Sequence, residues 1–112
     1  MPWRVRLSGP ANADLHGIVA WTQREFGATQ ACRYAAAVGV ALDRLAQGPD
    51  ADGSVQCNEA APGLRRLHLR RFIGRARHVL FYRTEGDGLI LVIRILHDAM
   101  DPERHLAPHE DA

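Results

Sequence analysis

The run Leu89-Ile90-Leu91-Val92-Ile93-Arg94-Ile95-Leu96 constrains this chain more than any other segment. A half-exposed strand alternates apolar and polar residues, but this one is apolar at nearly every position. A strand of that kind is covered on both faces, so it belongs at the centre of a sheet. The rest of the chain must therefore supply two layers of cover and at least two neighbouring strands.

The flanking segments read as those parts. Trp3, Val5 and Leu7 alternate with Arg4 and Arg6, a first strand with one buried face. Ser8-Gly9-Pro10 stops it and starts a helix, since proline is tolerated in a first helical turn. Leu15, Ile18, Val19, Thr22 and Phe26 recur at helical spacing, with Asp14 placed to suit the helix dipole. Gly27 ends this helix. A second helix follows at once, with Ala31, Tyr34, Ala35, Val38, Ala41, Leu42 and Leu45 as its apolar stripe and Gly48-Pro49 as its stop. Two helices joined so tightly run antiparallel. Asp50 to Gly63 reads as a surface loop of about a dozen residues. Leu67 and Leu69 alternate with Arg66, His68 and Arg70 in a second strand. Phe72-Ile73-Gly74 is a turn, His78 to Arg83 a third strand, and Glu85-Gly86-Asp87-Gly88 a hairpin turn into Leu89. Asp101-Pro102 starts a short helix, and residues 107–112 form a frayed tail. The expected fold is α+β: an N-terminal strand, then an antiparallel helical hairpin packed on an antiparallel sheet in the order β-α-α-β-β-β, closed by a short C-terminal helix.

At 112 residues the chain suffices for a single domain, 1–112, with one modest core. Its 46% hydrophobic content is that of a globular protein, not of a disordered one. No stretch approaches the roughly 20 apolar residues of a membrane span, and the N-terminus has no apolar signal segment. Cys32 and Cys57 lack CxxC spacing, which suits free thiols in a reducing cytoplasm. All 14 positive residues are arginine, whose planar fork bonds phosphate and carboxylate bidentately.

Charge distribution points to candidate sites where the net charge of +1 does not. Between Glu59 and Glu85 lie Arg65, Arg66, Arg70, Arg71, Arg75, Arg77 and Arg83 with no acid among them. Alternation would place Arg66, His68 and Arg70 outward, a positive face for phosphates or acidic side chains. The ordinary alternative is a soluble strand face that resists edge aggregation. Arg94, His97 and Asp101 cluster where the central strand ends; His97 and Asp101 could form an orienting pair, and a structural hydrogen bond is the preferred reading there. His97 and His105 lack the ligand spacing of a metal site, so no metal and no cofactor is expected. His78, Tyr82, Arg94 and His97, with Arg77 and Arg83 nearby, contain the residue types for phosphodiester cleavage of RNA, although Val79, Phe81 and Tyr82 serve equally as core. Trp21 lies off the apolar stripe and could anchor a partner.

Taken together, Val5-Arg6-Leu7-Ser8, Ala13-Asp14-Leu15-His16-Gly17-Ile18, Pro62-Gly63-Leu64-Arg65, His78 to Arg83 and above all Val92-Ile93-Arg94-Ile95-Leu96-His97-Asp98-Ala99-Met100-Asp101 resemble the ParE branch of the RelE/ParE toxin superfamily. The resemblance covers about residues 3 to 106 and implies the same helical hairpin on a sheet. It implies the toxin half of a bacterial type II toxin–antitoxin module, of the sort linked to plasmid stabilisation. ParE-like toxins poison DNA gyrase, whereas RelE-like ones cut mRNA on the ribosome; this chain lacks the lysines that the latter place on the sheet. Its implied partners are gyrase and a ParD-like antitoxin that wraps the toxin as a helix on the hairpin and an extended piece near the sheet. Direct sequence-specific DNA binding is not expected. On this reading Arg94, His97, Met100, Asp101 and Arg104 lie near the toxic surface, helped by Arg70, Arg71 and Arg77, while Leu15, Trp21 and Val38 meet the antitoxin. The alternatives are a RelE-like mRNA endonuclease using His78, Tyr82, Arg94 or His97, and a degenerate relative that only binds its antitoxin.

Overall fold

A computed structural model describes residues 2–106, with Glu103 described through its backbone alone. The elements are β1 (Arg4–Leu7), α1 (Gly9–Phe26), α2 (Ala28–Leu45), β2 (Val55–Gln56), β3 (Arg65–His68), a 3₁₀ turn (Leu69–Arg71), β4 (His78–Glu85), β5 (Leu89–His97) and α3 (Pro102–His105). The strands form one mixed sheet in the order β1-β5-β4-β3-β2. The apolar strand β5 thus has a neighbour on each side. Strands β2 to β5 pair antiparallel, but β1 pairs parallel with β5, Val5 opposite Ile90 and Leu7 opposite Val92. Only strands joined by hairpins have their direction set by a turn; β1 is separated from the sheet by two helices and is not so constrained. The tail 107–112 lies outside the described residues.

The hairpin turns on one residue. Gly27 adopts φ 92°, a conformation that disfavours any side chain, and it closes α1 through its N–H on the Gln23 carbonyl while starting α2. Helix α2 buries Ala31, Tyr34, Ala37, Val38, Ala41 and Leu45, of which Tyr34, Val38, Ala41 and Leu45 join the core shared with the sheet. Ala35, expected in that stripe, is exposed, and so is Phe26, which leaves the α1 stripe and packs edge-on against Trp21. The helix-side core adds Leu67, Leu69, Leu80, Tyr82, Ile90, Val92 and Ile95. Each fully buried aliphatic side chain of this size contributes about 1.5–3 kcal/mol.

The opposite sheet face has its own, smaller core of Cys57, Leu64, Val79, Phe81, Leu96 and Leu106. The segment between α2 and β3 is therefore more than a surface loop. It contributes β2, and it tucks Cys57 and Leu64 under the sheet through the Cys57 N–H on the Leu64 carbonyl at 2.8 Å. A second departure follows β3. The strand ends at His68, and Leu69–Arg71 forms a 3₁₀ turn capped by the His68 ring, so Arg70 does not continue the strand face.

Strand β5 carries a bulge that decides where its polar residues point. Phe81 pairs with Arg94 and Tyr82 with Val92, leaving Ile93 as the extra residue. Ile90 and Val92 face the helices, and beyond the bulge Ile95 does too. Helix α1 is fastened at this point. The Ser8 hydroxyl accepts the Ala11 N–H at 3.0 Å and donates to the Ile93 carbonyl at 2.8 Å. Asp14 takes the Arg94 guanidinium on both its oxygens, at 2.8 and 3.0 Å, and accepts the Ile95 N–H at 2.9 Å. Asp14 lies beyond the first helical turn, and it serves the strand bulge rather than the helix dipole. Removing its carboxylate would take two hydrogen bonds from a partly buried guanidinium and one from a strand amide. Asp14→Ala should therefore lower the unfolding free energy by about 2–4 kcal/mol, with the exposed Asp43→Ala nearly neutral, as measured by urea denaturation. A loss below about 0.5 kcal/mol would show that the bulge does not depend on Asp14.

Candidate functional site

Where β5 ends, one carboxylate gathers an arginine and a histidine. Asp98 receives the Arg77 guanidinium from Nε at 3.0 Å and from Nη2 at 2.8 Å, and the His68 Nε2 at 3.0 Å. Its backbone N–H donates to the Arg77 carbonyl at 2.7 Å. Arg77 first, then His68, hold the Asp98 carboxyl well below the usual carboxylate range. The His68 Nδ1 accepts the Arg70 N–H at 3.1 Å, which leaves the proton on Nε2 to be donated to Asp98. His97, in turn, accepts the Ala99 N–H on Nδ1 at 3.0 Å. The sequence suggests Asp101 as the orienting acid of this strand end. In the structure Asp98 holds a histidine, but it is His68 and not His97, while Asp101 is exposed and its carbonyl accepts the Arg104 N–H as α3 begins.

His78 stands opposite His97 across the β4–β5 ladder, their rings edge-on with centroids 5.4 Å apart. Its Nδ1 lies 2.6 Å from the Tyr34 hydroxyl of α2. Burial, then the neighbouring His97, lowers the His78 pKa to about 4, so the ring is neutral at pH 7 and accepts the hydrogen bond from the tyrosine hydroxyl. Burial and the nearby Asp98 carboxylate raise the Tyr34 hydroxyl well above its ordinary value, which keeps it a donor.

The residues singled out in the sequence do not form one cluster. Tyr82 is fully buried and its hydroxyl donates to the Pro49 carbonyl at 2.7 Å, so it lies in the core and not on a concave face. Arg94 is held by Asp14, and Arg83 pairs with Glu85 near the distal end of β4. Val38 is 1% exposed, packed between α2 and the sheet, and presents nothing to a partner. Leu15 is half-buried and packs on the helix-side core. Trp21 is 48% exposed, off the stripe as its position in the sequence suggests.

Three grooves surround the strand end. One of about 490 Å³ runs between the hairpin and the segment before β4, lined by Trp21, Phe26, Tyr34, Ile73, Arg75 and Arg77. A second, about 330 Å³, lies beside α1 and is lined by Asp14, Ile18, Trp21, Arg94 and Met100. The third, about 550 Å³, is on the outer sheet face and holds Arg66, Arg70, Arg71, His68 and Met100. His97 lines all three. Arg70, Arg71, His97 and Met100 therefore meet, Arg77 faces the hairpin groove, and Asp101 and Arg104 are exposed on the segment that follows. Sequence reasoning missed the parts played by Tyr34, His68 and Asp98. For Asp98 a signal was present, since it directly follows His97 at the end of an apolar strand. The Tyr34–His78 and His68–Asp98 contacts span 44 and 30 residues and carry no local spacing.

His78 makes a pH dependence that can be measured. Above about pH 6.5 it is neutral in both folded and unfolded chains and has no effect. As the pH falls, the unfolded chain takes up the proton first, so stability is lost until about pH 4, where the folded chain takes it too. His78→Gln keeps an acceptor for Tyr34 but cannot titrate. It should remove about one proton's worth of slope from a plot of urea-derived stability against pH in that window. An unchanged slope would mean that His78 is not held neutral.

The chain matches the family model described as "ParE toxin of type II toxin-antitoxin system, parDE" over residues 5–102. It is 38% identical over 106 residues to a protein named Toxin ParE1 from Mycobacterium tuberculosis, covering 95% of this chain and 100% of that one. It is 37% identical to Toxin ParE of Escherichia coli, covering 90% of each, and 34% identical to Toxin ParE1 of Caulobacter vibrioides, covering 90% of this chain and 95% of that one. Among solved structures, the chromosomal ParDE toxin–antitoxin system from P. aeruginosa superposes with a TM-score of 0.68 at 21% identity, over 85% of this chain and 95% of that chain. The RelBE2 toxin–antitoxin complex of M. tuberculosis superposes with a TM-score of 0.59, also at 21% identity, over 89% of this chain and 95% of that chain. These likenesses at 21% identity show the shared fold. The family match and the three relatives go further: the chain belongs to the ParE toxin family of type II toxin–antitoxin systems, within the RelE/ParE superfamily.

Proposed function

We infer that this ParE-type toxin inhibits DNA gyrase by binding it, acting as a single domain in the bacterial cytoplasm, and that a ParD-like antitoxin holds it inactive. The observation that carries the reading is the use the fold makes of the candidate cleavage residues. Tyr82 is locked in the core, Arg94 is held by Asp14, and His78 is neutral against Tyr34. Arg94 and His78 also line grooves, but both are engaged in these contacts; His97, with 39% of its side chain exposed, is one imidazole and cannot supply both the base and the acid of a phosphodiester cleavage. Met100, exposed beside His97, and Arg104, exposed on α3, are the contacts we assign to the target, with Arg70 and Arg71 adding positive charge. Among the described residues no helix is long and apolar enough to cross a membrane.

The antitoxin contact we assign to the hairpin groove. Trp21 and Phe26 are 48% and 65% exposed, and their T-shaped pair, with Ile73, offers an apolar anchor site flanked by Arg75 and Arg77. An amphipathic helix with acidic flanks fits that chemistry. The other reading, a ribosome-dependent endonuclease, draws on one observation, the adjacency of the His78 and His97 rings.

Purified toxin should inhibit gyrase supercoiling, and the Met100→Ala/Arg104→Ala double variant should do so about tenfold more weakly with its thermal stability unchanged. Equal inhibition by this variant would place the target elsewhere, and absence of inhibition by the parent chain would end the gyrase reading. Trp21→Ala should weaken antitoxin affinity by about tenfold or more in a titration with the purified antitoxin; an unchanged affinity would remove the groove from the antitoxin interface.

A further inference from the structure

Among the described non-glycine residues, Arg75 alone adopts a positive φ, 69°. It is the third residue of a turn that the Ala76 N–H closes on the Ile73 carbonyl at 3.3 Å. The positive-φ position of a turn belongs by preference to glycine or asparagine, because a larger side chain crowds the backbone there. Here the glycine, Gly74, sits one residue earlier. The turn is pinned from both sides. Before it, the Phe72 and Ile73 N–H groups both donate to the Leu69 carbonyl, at 2.9 and 3.1 Å, and Ile73 packs on the helix-side core. After it, Ala76 is buried and the Arg77 carbonyl accepts the Asp98 N–H at 2.7 Å. The backbone is thus fixed in a conformation that arginine disfavours. Outliers kept in place by their surroundings cluster at ligand-binding sites.

The Arg75 side chain does nothing for the fold that would justify this. It is exposed and, among the described residues, forms neither an ion pair nor a side-chain hydrogen bond. Its neighbours are committed: Arg77 to Asp98, Arg71 to Asp52, and Arg44 over the Phe72 ring. Arg75 instead lines the hairpin groove with Trp21, Phe26 and Ile73, and none of the described residues lining that groove is an acid. One uncommitted guanidinium beside an exposed aromatic pair fits a lone carboxylate set next to apolar side chains, as on an amphipathic helix. A nucleic-acid backbone draws its affinity from several cations along its length, and the other arginine of this groove, Arg77, is already taken.

We propose that Arg75 is the specificity-determining residue of the hairpin groove, kept at positive φ so that its guanidinium takes a carboxylate of the antitoxin beside the Trp21–Phe26 anchor. The inference rests on the assignment of the antitoxin to this groove, and it adds that the free toxin gives up stability for the contact. The test measures two quantities on the same variants of the full chain: affinity, by titration with the purified antitoxin, and the melting temperature of the toxin alone. Arg75→Gly removes both charge and strain. It should weaken the affinity about tenfold and melt about 2–5 °C above the parent. Arg75→Ala removes the charge and keeps the strain, so it should weaken the affinity alike with no rise in melting temperature. Arg4→Ala, the same loss of charge on β1, should bind as the parent does. The proposal is overturned by parent-like affinity of Arg75→Gly, by a melting temperature that does not rise in it, or by equal weakening from Arg4→Ala. Trp21→Ala in the same titration separates this inference from the assignment beneath it. Weaker binding by Trp21→Ala with Arg75→Gly unchanged would sink the role of Arg75 alone, whereas no change in either would remove the antitoxin from the groove and the role of Arg75 with it.

Discussion

The Asp14 carboxylate holds together the parts of this molecule that have to stay in register. It reaches from the second turn of α1 to a bulge in β5, where it neutralises Arg94 and receives the Ile95 amide. The bulge turns the strand so that Ile95 returns to the helix-side core and His97 and Asp98 emerge at the end. Ser8 fastens the same bulge from the other side while capping the helix it begins. Losing this contact would free the helical hairpin from the strand end, and with it Trp21 and Tyr34 would lose their place beside His78 and His97.

The consequence for function is a division of labour among polar residues. Arg94 and Tyr82 have the chemistry of a cleavage site, yet both are spent on structure: one in a bidentate ion pair, the other donating to a loop carbonyl from within the core. A guanidinium also cannot act as the proton donor that lysine can be, because its pKa is too high. What remains open is a rim around His97, with an apolar groove toward the hairpin and a cationic one on the outer sheet face. A rim of this kind suits recognition of partners. It fits membership in the ParE toxin family and supports the proposed protein target over catalysis.

Much of the architecture was legible in the residues. The continuous apolar run of β5 fixed an interior strand, the spacing of Ala31, Tyr34, Val38, Ala41 and Leu45 fixed the buried face of α2, and Gly27 marked a tight helical hairpin. The parallel direction of β1 was not, because no turn links it to β5 and period-two alternation carries no direction. Nor was the bulge: an all-apolar strand hides a change of parity, since either phase looks buried. Arg70 was misplaced because alternation seemed to continue through Leu69, while the His68 ring capped the Arg70 amide and turned the chain into a 3₁₀ turn. At the site, Trp21 lies off the stripe as its place in the sequence suggests, whereas the place of Asp98 beside His97 does not mark it as the acid that holds Arg77 and His68. The contacts that single out Asp98 come from Arg77 and His68, which the folded sheet brings to it from 21 and 30 residues away.

The most direct test of a protein-binding toxin is its effect on DNA and messenger RNA in the same cells. The chain would be expressed under induction in a bacterium, with chromosome breaks and message integrity scored from a single culture over the first minutes of growth arrest. Chromosome breaks with intact messages are the expected result. Cleaved messages with an intact chromosome would contradict it, and would make the His78–His97 pair a catalytic one.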